Sequence, residues 1–402
     1  MAYIPETIFG INTGPNETIP RVMISPARYV QGDGVLDYLG KYLELVPGKN
    51  VAILISENGQ KRFGERISQS LKNAKVRFAI GQFGGECSIE EITKHEKSFS
   101  SSNELDCLIA VGGGKCIDAG KFIADRLQIP VVIVPTLASN DAPCSALSVM
   151  YSPEGVMSGV EFFKQSPALV LVDTRIVANS PERYLVAGMG DALATWYEAH
   201  ACGTSIRGKT CVGARPTLAA EAISEVCAAT LFADGAAAAS AVRKSEVNDV
   251  LERVVEANTL LSGIGFESGG LACAHSIAQG LTLIPSVHSD SLHGEMVAIG
   301  LLTQLLLEKR NDELQKVARF MALVGLPVEL KQISFDASNR EHVNQVIDFA
   351  MNFPFLQNEP FPVTREALLQ SFMSADELGN QIKKQTGDSA FLNLRAKQGH
   401  GK

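Results

Sequence analysis

Short apolar runs that alternate with helix-compatible segments constrain this chain more than any other feature. Residues 51–55, 105–111, 131–134 and 168–172 are apolar with hardly a polar interruption, and each is too short for a helix that buries a face. Weaker runs at 21–25, 76–80 and 147–151 complete the set, and 32–45, 61–71, 89–99 and 115–127 carry apolar residues at helical spacing. A strand that is apolar throughout is buried on both faces, and strands separated by helices pair in parallel. The expected fold class is therefore α/β, with a mainly parallel, Rossmann-like sheet covered on both sides. Such sheets take their ligands at the carboxyl ends of the strands.

The texture changes after Asn179. Ser180 is a candidate N-cap, Pro181 suits the first helical position and Glu182 the first turn. Beyond it strand signals nearly vanish. Helical spacing recurs at 182–201, 216–240, 245–264, 271–282, 291–309 and 311–323, and more weakly at 340–351, 365–373 and 375–385. The expected organisation is an α/β domain over 1–179 and an all-helical domain over 180–402, with a cleft between them and a mobile tail from 386.

A net charge of −8 without a long basic run excludes nucleic acid and anionic membrane as general partners and leaves a small molecule. No apolar run approaches the ~18 residues of a membrane span. The eight cysteines form no C-x-x-C pair, which fits reduced, buried thiols in the cytoplasm. Residues 1–7 have neither a basic start nor an apolar core, so no secretory leader is expected.

Two places concentrate chemistry. In the first, the apolar run 108–111 meets Gly112, Gly113 and Gly114 and then a helix start, an arrangement that exposes backbone N–H groups to an anion such as phosphate. It fits neither common phosphate pattern. Ile109 and Cys116 break the Walker spacing, and Ile117 breaks G-x-G-x-x-G. A plain packing turn remains open. Two further strand ends carry polar groups: the segment 135–145, and Glu57, which either holds a ribose hydroxyl or is simply solvated.

The second place is a set of scarce side chains. His275 lies among small residues in 270–280, His293 opens a helix at 291–297, and Asp191 sits on a helix that buries Leu185, Met189, Leu193 and Trp196. A carboxylate near a core requires a partner. Two histidines and one aspartate suit a divalent metal with an open position. A buried Asp–His hydrogen bond, with the other histidine serving structure, is the commoner arrangement and stays open, and His288 competes with His293.

Several motifs together carry a resemblance: GGGKCIDAGK at 112–121, VPTLASNDAPCSALSVMY at 134–151, LVDTRIVANSP at 171–181, GMGDALATWYEA at 188–199 and HGE at 293–295. Over nearly all of 20–385 the chain resembles the glycerol dehydrogenases of the metal-dependent polyol and iron-containing alcohol dehydrogenase superfamily. The resemblance implies NAD-dependent oxidation of glycerol or a related vicinal diol to a ketone such as dihydroxyacetone. Gly113, Gly114, Lys115, Cys116, Ile117 and Asp118 match the pyrophosphate loop. Thr136, Ser139, Ser145, Leu147 and Tyr151 match positions along the nicotinamide half. Glu57 stands where the family usually has aspartate beside the ribose, which favours NAD over NADP. Asp141 matches a substrate-contacting aspartate. Asp191, His275 and His293 match the zinc ligands, and with Asp141 they form the implied catalytic and substrate-binding set.

Thr195 stands where many iron-dependent relatives have a fourth, histidine ligand. One Zn2+ per subunit is therefore implied ahead of Fe2+ or Mn2+. Met296 departs from a common HGEKV pattern and bears on substrate preference. The resemblance also implies a homo-oligomer. Its alternatives are an iron-type alcohol dehydrogenase and a 1,2-propanediol or glycerol-1-phosphate dehydrogenase.

Overall fold

The computed structural model describes residues 3–9, 19–100, 104–153 and 157–396. Six strands form one parallel sheet: β1 (Tyr29–Gly32), β2 (Asn50–Ser56), β3 (Arg77–Phe83), β4 (Cys107–Gly112), β5 (Val131–Pro135) and β8 (Leu169–Asp173). Their order is β1-β8-β5-β4-β2-β3, and β6 (Leu147–Tyr151) and β7 (Met157–Phe162) form a separate antiparallel hairpin. Alternation explains why the central strands are apolar throughout. Val51, Ile53 and Ile55 of β2 pack with Ile67 and Leu71 on one face, while Ala52 and Leu54 join Ile117 and Ile123 on the other.

The chain runs from β2 out to the edge strand β3 and then back past β2 to β4 and β5. The crevice between the ends of β2 and β4 is thus the point where the winding reverses, the place at which open α/β sheets bind ligands. The glycine turn follows β4 and Glu57 follows β2.

From Glu182 onward the described residues are helical, with no strand among them. The first of these helices, α1 (Glu182–Thr204), packs against α2 (Leu218–Arg243) and α5 (His293–Leu307), and α4 (Cys273–Leu281) lies along α5. Between α2 and α4 runs α3, residues 249–269, interrupted by one π turn at Ala257–Leu261. The α2 helix is long and apolar enough by composition to cross a membrane, although no such run was expected. Its Cys227, Leu231 and Ala238 lie in the core of the helical part.

Three expectations need correction. Residues 21–25 form no strand; they make one isolated bridge, Arg21 to Arg215. Pro26 has no N–H to donate, and the Ile24 backbone bonds the Ser268 hydroxyl instead, so this run docks on the helical part. The edge position goes to β1, too short to stand out. The hairpin strand β7 was missed because MSGVEF alternates at partial exposure around Gly159. The expected mobile tail holds the end of Arg365–Thr386 and a helix, α6 (Ser389–Ala396); residues 397–402 lie outside the described residues.

Candidate active site

The glycine turn works through its backbone. Gly113 caps the helix Gly114–Leu127, and the Gly112 carbonyl accepts from Thr136 N–H at 2.9 Å, which sets the β5 loop beside the turn. The first N–H groups of that helix have no intrahelical acceptor, and the helix dipole adds positive potential there. Side chains contribute little. Cys116 and Ile117 are buried in the core beneath the turn, so only their backbone can face a ligand. Asp118 is buried against Lys121 at 2.8 Å and accepts from Val149 N–H. Lys115 pairs with Glu86 at 2.7 Å and lies over the Tyr151 ring.

Nothing in the local sequence marks Lys121, yet it organises the segment that follows. Its ammonium donates to Ala142 O, Ser145 Oγ and Leu147 O. Ser145 is completely buried, so its hydroxyl is held by Lys121 rather than presented to solvent, and Leu147 is also buried. Thr136, Ser139 and Asp141 remain partly accessible. Glu57 is exposed at the end of β2 and pairs with Lys61 at 2.6 Å, which holds its carboxyl below the usual range.

The helical part brings Asp191, His275 and His293 together, with one ligand atom from each lying within 4.8 Å of the others. His288 is not part of that cluster. Asp191 is on α1, His275 in the first turn of α4, and His293 at the start of α5. The α1 and α5 backbones meet at glycines: a Cβ on Gly190 would stand 2.4 Å from Gly294 O, and one on Gly294 1.8 Å from Ala187 O. Only glycine permits that approach, and it carries His293 to Asp191. Glu295 fixes the start of α5 by accepting from Leu292 N–H and pairing with Arg183 and with Arg395 of α6.

Asp191 Oδ1 lies 3.4 Å from His275 Nε2 and 3.5 Å from His293 Nε2. Those separations match the edge of a tetrahedron, about 3.3 Å, that zinc bonds of roughly 2.05 Å produce. Both Asp191 oxygens are buried without a hydrogen bond of ordinary geometry, although the Asp141 backbone N–H and the His275 ring lie near. An unpaired buried carboxylate is costly, and a cation removes that cost. The residues therefore fit a divalent metal.

Electrostatics agree. Burial opposes charge on His275, but Glu198 and Asp191 outweigh it and hold the ring protonated well above the usual imidazole range. Burial pushes His293 down, leaving a neutral nitrogen able to ligate. Burial raises Asp191, but His293 and His275 overcome it and hold the carboxyl low. Burial and the charge of Asp191 push Asp141 well above the usual carboxylate range.

Glu198 was also missed. It is fully buried on α1, seven residues after Asp191 and so on the same helix face. Its Oε2 lies 2.5 Å from His275 Nδ1, and its Oε1 accepts from the backbone of Ala272 and His275. It thereby turns Nε2 toward Asp191, the orienting role that carboxylates play behind ligating histidines. Met296 is buried in the core.

Residues 26–174 match the family model described as iron-containing alcohol dehydrogenase. That match, the reversing parallel sheet and the Asp/His/His set define an oxidoreductase of the metal-dependent alcohol dehydrogenase class. Glycerol dehydrogenase of Thermotoga maritima is 43% identical over 90% of this chain and 99% of its own, and that of Escherichia coli is 40% identical over 90% and 98%. The solved glycerol dehydrogenase of Schizosaccharomyces pombe superposes with a TM-score of 0.86 at 32% identity, covering 91% of this chain and 93% of that one. The chain belongs to the glycerol dehydrogenase family.

Proposed function

We propose that this enzyme oxidises glycerol and closely related vicinal diols with NAD as hydride acceptor and one zinc ion per subunit. The observation that carries the reading is the buried Asp191 carboxylate, without a hydrogen bond of ordinary geometry and flanked at 3.4 and 3.5 Å by two imidazoles. On this reading residues 1–179 are the NAD-binding domain and 180–402 the metal-binding domain.

Asp191, His275 and His293 would hold the metal, and Glu198 would keep His275 in the ligating orientation. When bound, the metal supplies Lewis acidity toward a substrate hydroxyl and NAD supplies the hydride acceptor. The protein's own residues do the rest. Glycine-turn N–H groups bind pyrophosphate, and Glu57 accepts from a ribose hydroxyl. The loop after β5 runs from the glycine turn to Asp141, so one short segment spans the distance from cofactor to substrate. Asp141 orients the diol through a second hydroxyl. Eight buried, unpaired cysteines support a reducing compartment such as the cytoplasm. The exposed Leu218 and Val226 on α2 support self-association of the subunit.

NAD reduction measured with glycerol, 1,2-propanediol, ethanol and glycerol-1-phosphate, before and after chelation, tests the reading. Glycerol and propanediol are expected to lead, and chelation to abolish turnover. A preference for ethanol or for the phosphate ester overturns it.

A further inference from the structure

The contact between the sheet and the helical part is concentrated on one helix, α3, and on the π turn within it. A π turn holds one residue more than the α-helix and so changes which side chains share a face. Within five residues α3 sends three polar groups toward the sheet side. Asn258 Nδ2 donates to Ala138 O at 2.9 Å, Thr259 Oγ1 meets the Tyr29 hydroxyl at 2.7 Å, and Ser262 Oγ donates to Asp141 Oδ2 at 2.9 Å.

Ser262 has a second partner, Thr195 Oγ1 at 2.9 Å. Both hydroxyls are completely buried. A hydroxyl has one proton, so when Ser262 donates to the carboxylate it must accept from Thr195. The order is then Thr195 to Ser262 to Asp141. Thr195 lies one turn beyond Asp191 on α1. The chain of hydroxyls therefore ties the β5 loop to the helix that carries the buried carboxylate. The sequence around Ser262 is built for this approach: a Cβ on Gly263 would stand 2.7 Å from Cys144 Cβ, and one on Gly265 2.4 Å from Thr195 Cγ2.

We propose that Ser262, braced by Thr195, is a positioning residue that fixes Asp141 Oδ2 and leaves Oδ1 as the oxygen for a substrate hydroxyl. The inference rests on the reading of Asp141 as the diol contact. Losing the brace frees the Asp141 side chain to rotate, so diol binding weakens while the metal ligands and the glycine turn are untouched.

Steady-state kinetics of Ser262→Ala, Ser262→Thr and Thr195→Val, with zinc content, NADH binding by fluorescence and thermal midpoint measured alongside, provide the test. Ser262→Ala is expected to raise the glycerol KM by about tenfold, the scale of one buried hydrogen bond, with kcat changed less than about threefold. Zinc content and NADH binding should stay at wild-type values. Ser262→Thr, which retains the hydroxyl, should recover most of the loss, and Thr195→Val should fall between. An unchanged KM in Ser262→Ala, a fall confined to kcat, a loss of zinc, or failure of threonine to rescue overturns the proposal. A wild-type enzyme that does not oxidise glycerol instead overturns the functional reading on which it rests.

Discussion

The two ends of the candidate site are made of different materials. At the end of β4 the exposed polar surface is main chain: Gly112 to Gly114 and the open N–H groups of a helix, with neighbouring side chains turned into the core or into ion pairs. Among α1, α4 and α5 the site is side chain: two imidazoles and a carboxylate held at short range by glycine contacts and by Glu198. A main-chain site tolerates changes in the side chains beside it and fails when a Cβ is added. A side-chain site fails when one ligand is cut and leaves the main-chain site working.

The largest effect should come from cutting the side-chain site. His275→Ala is expected to lose zinc and to lower kcat/KM by about a thousandfold or more, because polarising a hydroxyl is worth several kcal/mol and each 1.36 kcal/mol is tenfold. NADH binding by fluorescence should persist. If it vanishes as well, the two regions are not separable as described.

The junction between them comes next. Glu267 on α3 is buried, accepts from Ala146 N–H, and is pushed by burial to about 7. Its folded value lies above its unfolded one, so the native state binds the extra proton between about pH 4.5 and 7. Stability from this group is present in acid and is lost as pH rises through about 7. Glu267→Gln keeps an acceptor for Ala146 without the charge. It should remove a penalty of roughly 3 kcal/mol that separates pH 8 from pH 4, and urea melts of both proteins at the two values will read it.

Glu198→Gln should weaken zinc binding by about 10- to 100-fold, the usual range for a carboxylate behind a histidine ligand. The same group predicts a pH dependence. Glu198 and Asp191 keep His275 protonated without metal, whereas His293 is already neutral. Zinc must therefore displace one proton, and its affinity should fall about tenfold per pH unit on acidification.

The main-chain site answers to a smaller change. A Cβ on Gly112 would stand 2.6 Å from Cys116 Cβ, so Gly112→Ala should shift the turn and weaken NAD binding roughly tenfold, in line with ordinary overpacking costs. Zinc content should not change. Least of all, Glu57→Gln should relax the preference for NAD over NADP by about threefold, since one hydrogen bond to an exposed carboxylate is at stake.

The same contrast governs what could be read from the sequence. Strands buried on both faces announce themselves, so β2, β4, β5 and β8 were legible, whereas the half-exposed β1 and β7 were not. The glycine turn and the Asp191, His275 and His293 side chains that the fold gathers stood out in the sequence because three successive glycines and histidines among small residues are rare. Their supports were harder to see. Glu198, Lys121 and Ser262 act only through the partners that folding brings to them: His275 is 77 residues from Glu198, and Asp141 is 121 from Ser262. A buried polar residue has no local pattern, although Gly190 and Gly294 mark a close backbone approach and Gly263 and Gly265 lie against side chains of neighbouring elements. The α6 segment reads as a tail because its eight residues carry little amphipathic signal; its Arg395 nonetheless reaches Glu295 at 3.2 Å.

Zinc titration into the metal-stripped enzyme, with NAD reduction by glycerol and NADH binding followed together, tests the central claim most directly. One equivalent of zinc should restore turnover from near zero, while NADH binding is the same before and after. Full turnover in the stripped protein, or NADH binding that appears only with the metal, would contradict it.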